Sequence, residues 1–504
     1  MKNSIRFILT AVAILGSVAA CGKSSHDGLD IFDPTYEEYA GTNGTDLTAE
    51  VTFWHTMGQN IQTNFLEPTI QQFNAIYPNI KITHASQGGY NDIKTKIDAA
   101  IPANTAPSMA ICYPDHVAGY LDVANGAIRM DGYMTDPKIG FGVAPGENGT
   151  VVQTKEEDNN YNALEDIVPG FLKEGNQFVG KEGFYCLPMY KSSEALFYNA
   201  DVFTEKSYTV PTTWEEMITL ARKMVADYPD RFGKNSPNYS EGKFTAAPIG
   251  YDSEDNMFIS FAKMMNIPYT TNEVCNEVVF YTKEAMDMVK MIKGWYDEGL
   301  IVCKGVLPNN SYTSTIFTEG NCLMSIGSTG GVSYNVTTNF ETRVASLPGM
   351  NGNKNFISQG PSVCFFDKSK EEETASFLFY KFMTDKMHSA MSSSVTGYAP
   401  IRTSSTNTMI YQDIAAQGNA TVDVDTPKTT RTDILIGQTY SVFEKYIKED
   451  LLFTSSVFKG SAKTREVAGE IIVNSCFNTY ETVEGAFEKG IGDIIAEMGD
   501  QGCN

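Results

Sequence analysis

Arginine is scarce: eight stand in 504 residues, and lysine and arginine together number 38 against 61 aspartates and glutamates, for a net charge of −23. A surface of that sign cannot displace counterions from a phosphate backbone, which excludes nucleic acid as a partner. It is an equally poor match for anionic lipid. The five histidines, at 26, 55, 84, 116 and 388, are scattered and show no metal-ligand spacing. The nine cysteines contain no CxxC pair, so no zinc cluster is expected. Contexts such as "MAICYP" and "PSVCFF" point to buried free thiols, with one or two disulfides as the alternative. Tryptophan is limited to three residues, so stacking surface has to come from the 26 tyrosines. No GxSxG elbow, HExxH pair or phosphate-cradling GxxxxGK[ST] loop is present. After the first twenty residues no apolar run approaches a membrane span, and neither internal repeats nor low-complexity blocks occur.

Those first twenty residues are a different matter. Lys2 and Arg6 precede an apolar run over 7–20, too short for a comfortable span. The run ends in Val18-Ala19-Ala20-Cys21, which resembles the lipobox of a bacterial lipoprotein signal. That resemblance implies removal of residues 1–20, lipidation of Cys21 and a place on the extracytoplasmic face of the cell membrane. An ordinary secretory signal cut near Ala20 is the alternative. Residues 21–48 are acidic and aperiodic and read as a flexible tether, with a random-coil reach of about 25–35 Å.

Strand and helix patterns then alternate. Residues 51–54 are apolar and strand-like; Ile70, Phe73 and Tyr77 follow at helical spacing behind Pro68, and 80–83 make a second strand. Residues 90–100 put Ile93 and Ile97 on one helix face, before the strand in "APSMAICYP". Residues 132–162, rich in Gly, Asn and acids, read as an exposed insertion. Beyond it come strands in "GFYCLPMYKSSEALFYN", a helix opened by the Thr213/Glu216 capping box, and a helix over 283–298. Next are a strand and turn in "NCLMSIGSTGG", a helix in "SKEEETASFLFYKFMTD", and helical pieces over 432–499. This alternation predicts an α/β fold with parallel strands and right-handed crossovers.

The order of five segments resembles the extracellular solute-binding proteins of ABC importers, the type with a maltose-binding-protein fold. The segments are "VTFWHTMG", "GGYNDIKTKIDAAIPANTAPSMAICYPD", "LPMYKSSEALFYNADVF", "FTEGNCLMSIGSTGGV" and "SSSVTGYAPIRTSS". The first is similar to the opening of the glycerol-3-phosphate-binding branch. The resemblance implies a two-lobed, type II periplasmic-binding-protein-like α/β fold with hinge crossovers. Residues 49–191 plus 328–363 would form the N-terminal lobe, and 192–327 plus 364–504 the C-terminal lobe. It further implies a monomer without cofactor that is not an enzyme, which closes on a ligand and delivers it to the permease subunits.

Ligands of open α/β sheets bind beyond the carboxyl ends of parallel strands. The loops "WHTM", "SQGGYND" and "YPDH" stand there and offer Trp54, His55, Tyr90 and Asp115. Trp54 also fits strand-end core, His55 a loop hydrogen bond, and Asp115 a helix N-cap. The lobe crossings offer Tyr190, Ser192, Ser193, Ser328, Thr329, Gly330, Gly360 and Tyr398, and "PIGYDSEDN" offers Tyr251. By position, Tyr90, Ser192, Gly360 and Tyr398 match the binding residues of the glycerol-3-phosphate branch. Its third-strand glutamate is replaced by Asp115, one residue displaced, and "TDILIGQTYSVF" lacks its phosphate-holding arginine. Arg402 and Arg431 are the remaining candidates for a phosphate fork. The expected ligand is therefore a neutral carbohydrate, with glycerol-3-phosphate or its diesters as the alternative. A surface-anchored glycoside hydrolase, needing two suitably spaced carboxylates, is the alternative from another class.

Overall fold

The computed structural model describes residues 36–121, 123–178, 180–270, 279–423, 425–476 and 482–498. Cys21 and the signal segment lie outside the described residues. Ten strands build two sheets: β1 (Ala49–His55), β2 (Ile80–Ser86), β3 (Met109–Cys112), β4 (Cys186–Pro188), β5 (Glu194–Asn199), β6 (Ile249–Tyr251), β7 (Ile301–Cys303), β8 (Met324–Ser328), β9 (Thr342–Ala345) and β10 (Ser362–Phe365). The first sheet has the order β2-β1-β3-β10-β4, the second β7-β6-β8-β5-β9. In each, the three strands at one end run parallel, and the pairings to β10 and to β5 are antiparallel. Each sheet has its own core. Val51, Phe53, Phe73, Met109 and Phe365 are buried in the first lobe. Leu196, Trp214, Phe258, Ile292 and Ile326 are buried in the second. Full burial of each such side chain is worth roughly 1.5–3 kcal/mol.

Local sequence signals account for many of the elements. Helix α1 (Glu67–Ile76) has its proline in the first turn, and α2 (Tyr90–Ala100) buries Ile93 and Ile97. The helix Trp214–Asp227 begins with the Thr213/Glu216 box, both reciprocal bonds formed. The six described cysteines at 112, 186, 303, 322, 364 and 476 are free and buried; Cys275 and Cys503 lie outside the described residues. No described helix is long and apolar enough to cross a membrane.

Two lobe assignments need correction. Thr342–Ala345, expected in the first lobe, pairs with β5 of the second sheet. Helix α3 (Pro114–Val117) is followed much later by α4 (Glu254–Met264) and α5 (Lys370–Met383). The last, expected in the second lobe, buries Phe377, Leu378 and Phe379 in the first core. The chain thus returns to the first lobe later, and stays longer, than expected, because β9 can complete the second sheet's edge before the crossing.

The tether reading fails from residue 36 onward. The Tyr36 hydroxyl and the Tyr39 amide both donate to Asp136, and Lys138 Nζ donates to the Tyr39 carbonyl at 3.0 Å. Asn43 is 1% exposed and its Nδ2 donates to the Thr150 carbonyl at 2.8 Å. Nor is 132–162 merely an exposed insertion. Val143–Pro145 and Val151–Gln153 form a hairpin, while Tyr133, Met134 and Ile139 are buried. Its polar side chains serve local and docking hydrogen bonds, a use that composition does not distinguish from solvation.

Three crossings lie side by side between the lobes. The Ser192 amide donates to the Gln359 carbonyl at 2.7 Å and the Gln359 amide to the Ser192 carbonyl at 3.0 Å; the Ala399 amide donates to the Lys191 carbonyl at 2.7 Å. Lys191 is fully buried and its Nζ meets Glu174 at 2.6 Å and the Gly360 carbonyl at 3.1 Å, pinning first and second crossings together.

Candidate ligand-binding cleft

Strand direction points to a candidate site. The carboxyl end of β2 leads through a Gly-Gly turn to Tyr90, and that of β3 leads to Tyr113 and Asp115. The carboxyl end of β6 leads to Asp255 and Asn256, and that of β8 to Thr329 and Gly330. From across the cleft, helix Ser461–Cys476 of the second lobe packs against α3 of the first.

Four tyrosines converge there. The Tyr90 and Tyr113 rings lie 4.4 Å apart, the Tyr190 and Tyr398 rings stack at 5.1 Å and 23°, and the Tyr90 and Tyr398 hydroxyls are 3.3 Å apart. Burial holds the Tyr398 hydroxyl well above the usual phenol range, so the cluster stays neutral. Gly330 is flush with this ring: a Cβ there would lie 2.5 Å from Tyr398 carbons. Gly360 has φ +141°, and a Cβ would strike the Tyr190 carbonyl at 2.1 Å. Its requirement is close passage of two crossings, a structural duty rather than the ligand contact expected of it.

A polar group adjoins the aromatics. Arg465 Nε meets Asp255 at 2.5 Å, and its Nη2 donates to Gln359 Oε1 at 2.9 Å and to Asn256 Oδ1. Asn256 Nδ2 in turn donates to Glu194 Oε1 at 3.0 Å, and the Tyr251 hydroxyl to Glu194 Oε2 at 2.7 Å. Burial pushes the Glu194 carboxyl up to about 7, against the lowering effect of those two donors. On the facing lobe Asp115 Oδ1 is buried without a hydrogen-bond partner; His116 Nε2 is 3.9 Å away, and burial pushes that imidazole's pKa down. Asp115 lies inside the first turn of α3, whose N-cap is Tyr113.

The structure thus brings together Tyr90, Asp115, Tyr190, Gly330 and Tyr398 of the expected residues. Others are committed elsewhere. His55 is fully buried, its Nε2 3.0 Å from His84 and its Nδ1 accepting from the Met57 amide; burial, then His84, pushes it down to about 4. Trp54 is half-buried against the core cluster holding Ile93, Ile97 and Cys112. Tyr251 is 1% exposed and serves Glu194. Ser192 and Ser193 belong to the hinge, with Thr329 Oγ1 accepting from the Ser193 amide, and Ser328 caps the turn that follows it. The two phosphate candidates are likewise spent. Arg402 donates to the carbonyls of Ala163 and Thr384, and Arg431 to those of Thr426, Phe340 and Asp423. Sequence reasoning missed Tyr113 and Arg465. The first stood in a loop already singled out; the second sits in a helix whose sequence gives no local sign of what it faces.

The family profile described as bacterial extracellular solute-binding protein matches residues 69–419. The sn-glycerol-3-phosphate-binding periplasmic protein UgpB of Brucella melitensis is 23% identical over 369 residues, 70% of this chain and 74% of that protein. Among solved structures, the GacH receptor of Streptomyces glaucescens, studied with acarbose, is similar with a TM-score of 0.65 at 14% identity, over 90% of this chain and 100% of that one. UgpB of Mycobacterium tuberculosis in complex with glycerophosphocholine is similar with a TM-score of 0.63 at 14% identity, over 89% and 98%.

Proposed function

The chain belongs to the bacterial extracellular solute-binding proteins, and on that premise we propose that it captures a neutral carbohydrate between its lobes and delivers it to the permease of an ABC importer. The observation that carries this reading is the pairing of a tyrosine cluster with an arginine already neutralised by Asp255 and faced by Asp115. Tyrosine faces pack on the C–H patches of sugar rings, and the flanking carboxylates and amides serve hydroxyls that desolvation would leave unpaired. A phosphate would meet Arg465 already engaged and Asp115 opposing it. Glycerol-3-phosphate and its diesters, the ligands in the names of two relatives, are the rival reading. A thermal-shift screen of the protein beginning at Gly22 separates them. Maltose, maltotriose or mannobiose should raise the melting temperature by mass action, and sn-glycerol-3-phosphate should not. A shift with the phosphate and with none of the sugars contradicts the proposal.

We further propose that Cys21 is lipidated and holds the protein beside its permease, on the reading of the Val18-Ala19-Ala20-Cys21 segment. Two acyl chains give stable attachment where one is marginal. Cys21→Ser should move the protein from the membrane fraction to the soluble one; undiminished membrane fractionation would refute the anchor.

A further inference from the structure

Arg465, like Tyr113, is a residue of the candidate cleft that neither the sequence pattern nor the family resemblance assigns. Its position is set by helix Ser461–Cys476, which packs across the lobe boundary against Pro114–Val117. Its side chain is 22% exposed. Three fixed acceptors, Asp255, Gln359 and Asn256, hold Nε and Nη2. No described residue accepts from Nη1, which leaves one edge of the guanidinium fork free to donate. Gln359 belongs to the second crossing, where its backbone pairs with Ser192, so the fork is referenced to the hinge itself.

Opposite stands Asp115 Oδ1, buried with no donor. Desolvation opposes the guanidinium charge, but the fields of Asp255 and Asp115 outweigh it and raise the Arg465 pKa. Arg465 and Asp115 stand on the two helices, Ser461–Cys476 and Pro114–Val117, that pack against each other across the lobe boundary. A group that accepts from Nη1 and donates to Asp115 would bridge the two lobes. A hydroxyl does both, and two adjacent ring hydroxyls do so without crowding. A phosphate dianion accepts only, and would add negative charge beside two carboxylates.

We propose that Arg465 is a ligand-contacting specificity residue that donates to sugar hydroxyls, and that Asp255, by neutralising it, together with Asp115 excludes phosphorylated ligands. This rests on the carbohydrate reading above and extends it to a residue and a discrimination mechanism. The fork, not charge alone, does the work.

The test is calorimetric titration of the native protein and three variants with maltotriose, mannobiose and sn-glycerol-3-phosphate. Arg465→Gln should weaken binding of whichever sugar the native protein binds by about 10- to 100-fold, the range of a lost charge-assisted hydrogen bond. Arg465→Lys should restore only part of that affinity. Asp255→Asn should gain at least about tenfold in affinity for sn-glycerol-3-phosphate; a misfolded protein cannot mimic such a gain. Native-level sugar affinity in Arg465→Gln, or no gained phosphate affinity in Asp255→Asn, overturns this proposal and leaves the carbohydrate reading standing. A native protein that binds none of the sugars overturns both.

Discussion

Replacing Tyr398 with alanine is expected to weaken carbohydrate binding by about 30-fold or more, the scale of a central aromatic anchor. Tyr398 joins every part of the cluster. Its ring stacks on Tyr190, its hydroxyl is 3.3 Å from that of Tyr90, and the ring lies against Gly330 of the second lobe. Truncation removes a stacking face and at the same time releases the orientation of Tyr90. The ligand-free protein should keep its fold, because Tyr398 lies at the edge of the first core, not in its centre. Its backbone is held independently, the Tyr398 carbonyl accepting from Ser393 Oγ at 2.6 Å. Calorimetric titration with the sugar selected by the thermal screen reads the effect. An unchanged dissociation constant would remove the tyrosine cluster from the binding site.

Replacing Lys381 with methionine is expected to cost about 3 kcal/mol or more of stability, without any direct effect on the cleft. Lys381 is 5% exposed, and its ammonium donates to the carbonyls of Ile139, Gly140 and Val143 at 2.7, 3.1 and 3.0 Å. Three acceptors receive its protons and tie the 132–162 segment to α5, while burial, then Arg402, pushes the amine down to about 7. Methionine fills similar volume and leaves the Ile139 and Gly140 carbonyls without this donor, each costing about 1–3 kcal/mol where water cannot reach, while the Val143 carbonyl keeps Asn162 Nδ2 at 3.3 Å. The thermal unfolding midpoint should fall by at least about 6 °C, and limited proteolysis should cut first near the Val143–Gln153 hairpin. A midpoint within about 2 °C of the native protein's, judged against that same scale, would show that the carbonyls find water or other donors.

What could be read from the sequence was local. The Thr213/Glu216 box, the Ile93/Ile97 face and the small-residue turn after β8 are short-range patterns, and the structure contains all three. The loops after β2 and β3 were recognisable as candidates for a cleft lining because parallel strands aim their carboxyl ends the same way. What could not be read depends on partners distant in the chain. Tyr36 and Tyr39 find Asp136 about a hundred residues later, so an acidic, aperiodic stretch that reads as tether is docked. His55 follows a strand as a binding residue would, yet the strand pairing sets it beside His84. Arg465 lies over a hundred residues beyond Gln359 and two hundred beyond Asp255, and only tertiary packing brings the three together. Arg402 and Arg431 show the converse: side chains of the right chemistry, consumed by backbone carbonyls.

Titration of maltotriose, mannobiose and sn-glycerol-3-phosphate into one preparation of the native protein, followed by the same titrations into Tyr398→Ala, measures the central claim directly. The account predicts saturable binding of a neutral sugar at one molecule per chain, undisturbed by excess sn-glycerol-3-phosphate and severely weakened in the variant. Saturable binding of sn-glycerol-3-phosphate with every sugar silent, or sugar binding indifferent to Tyr398, would contradict it.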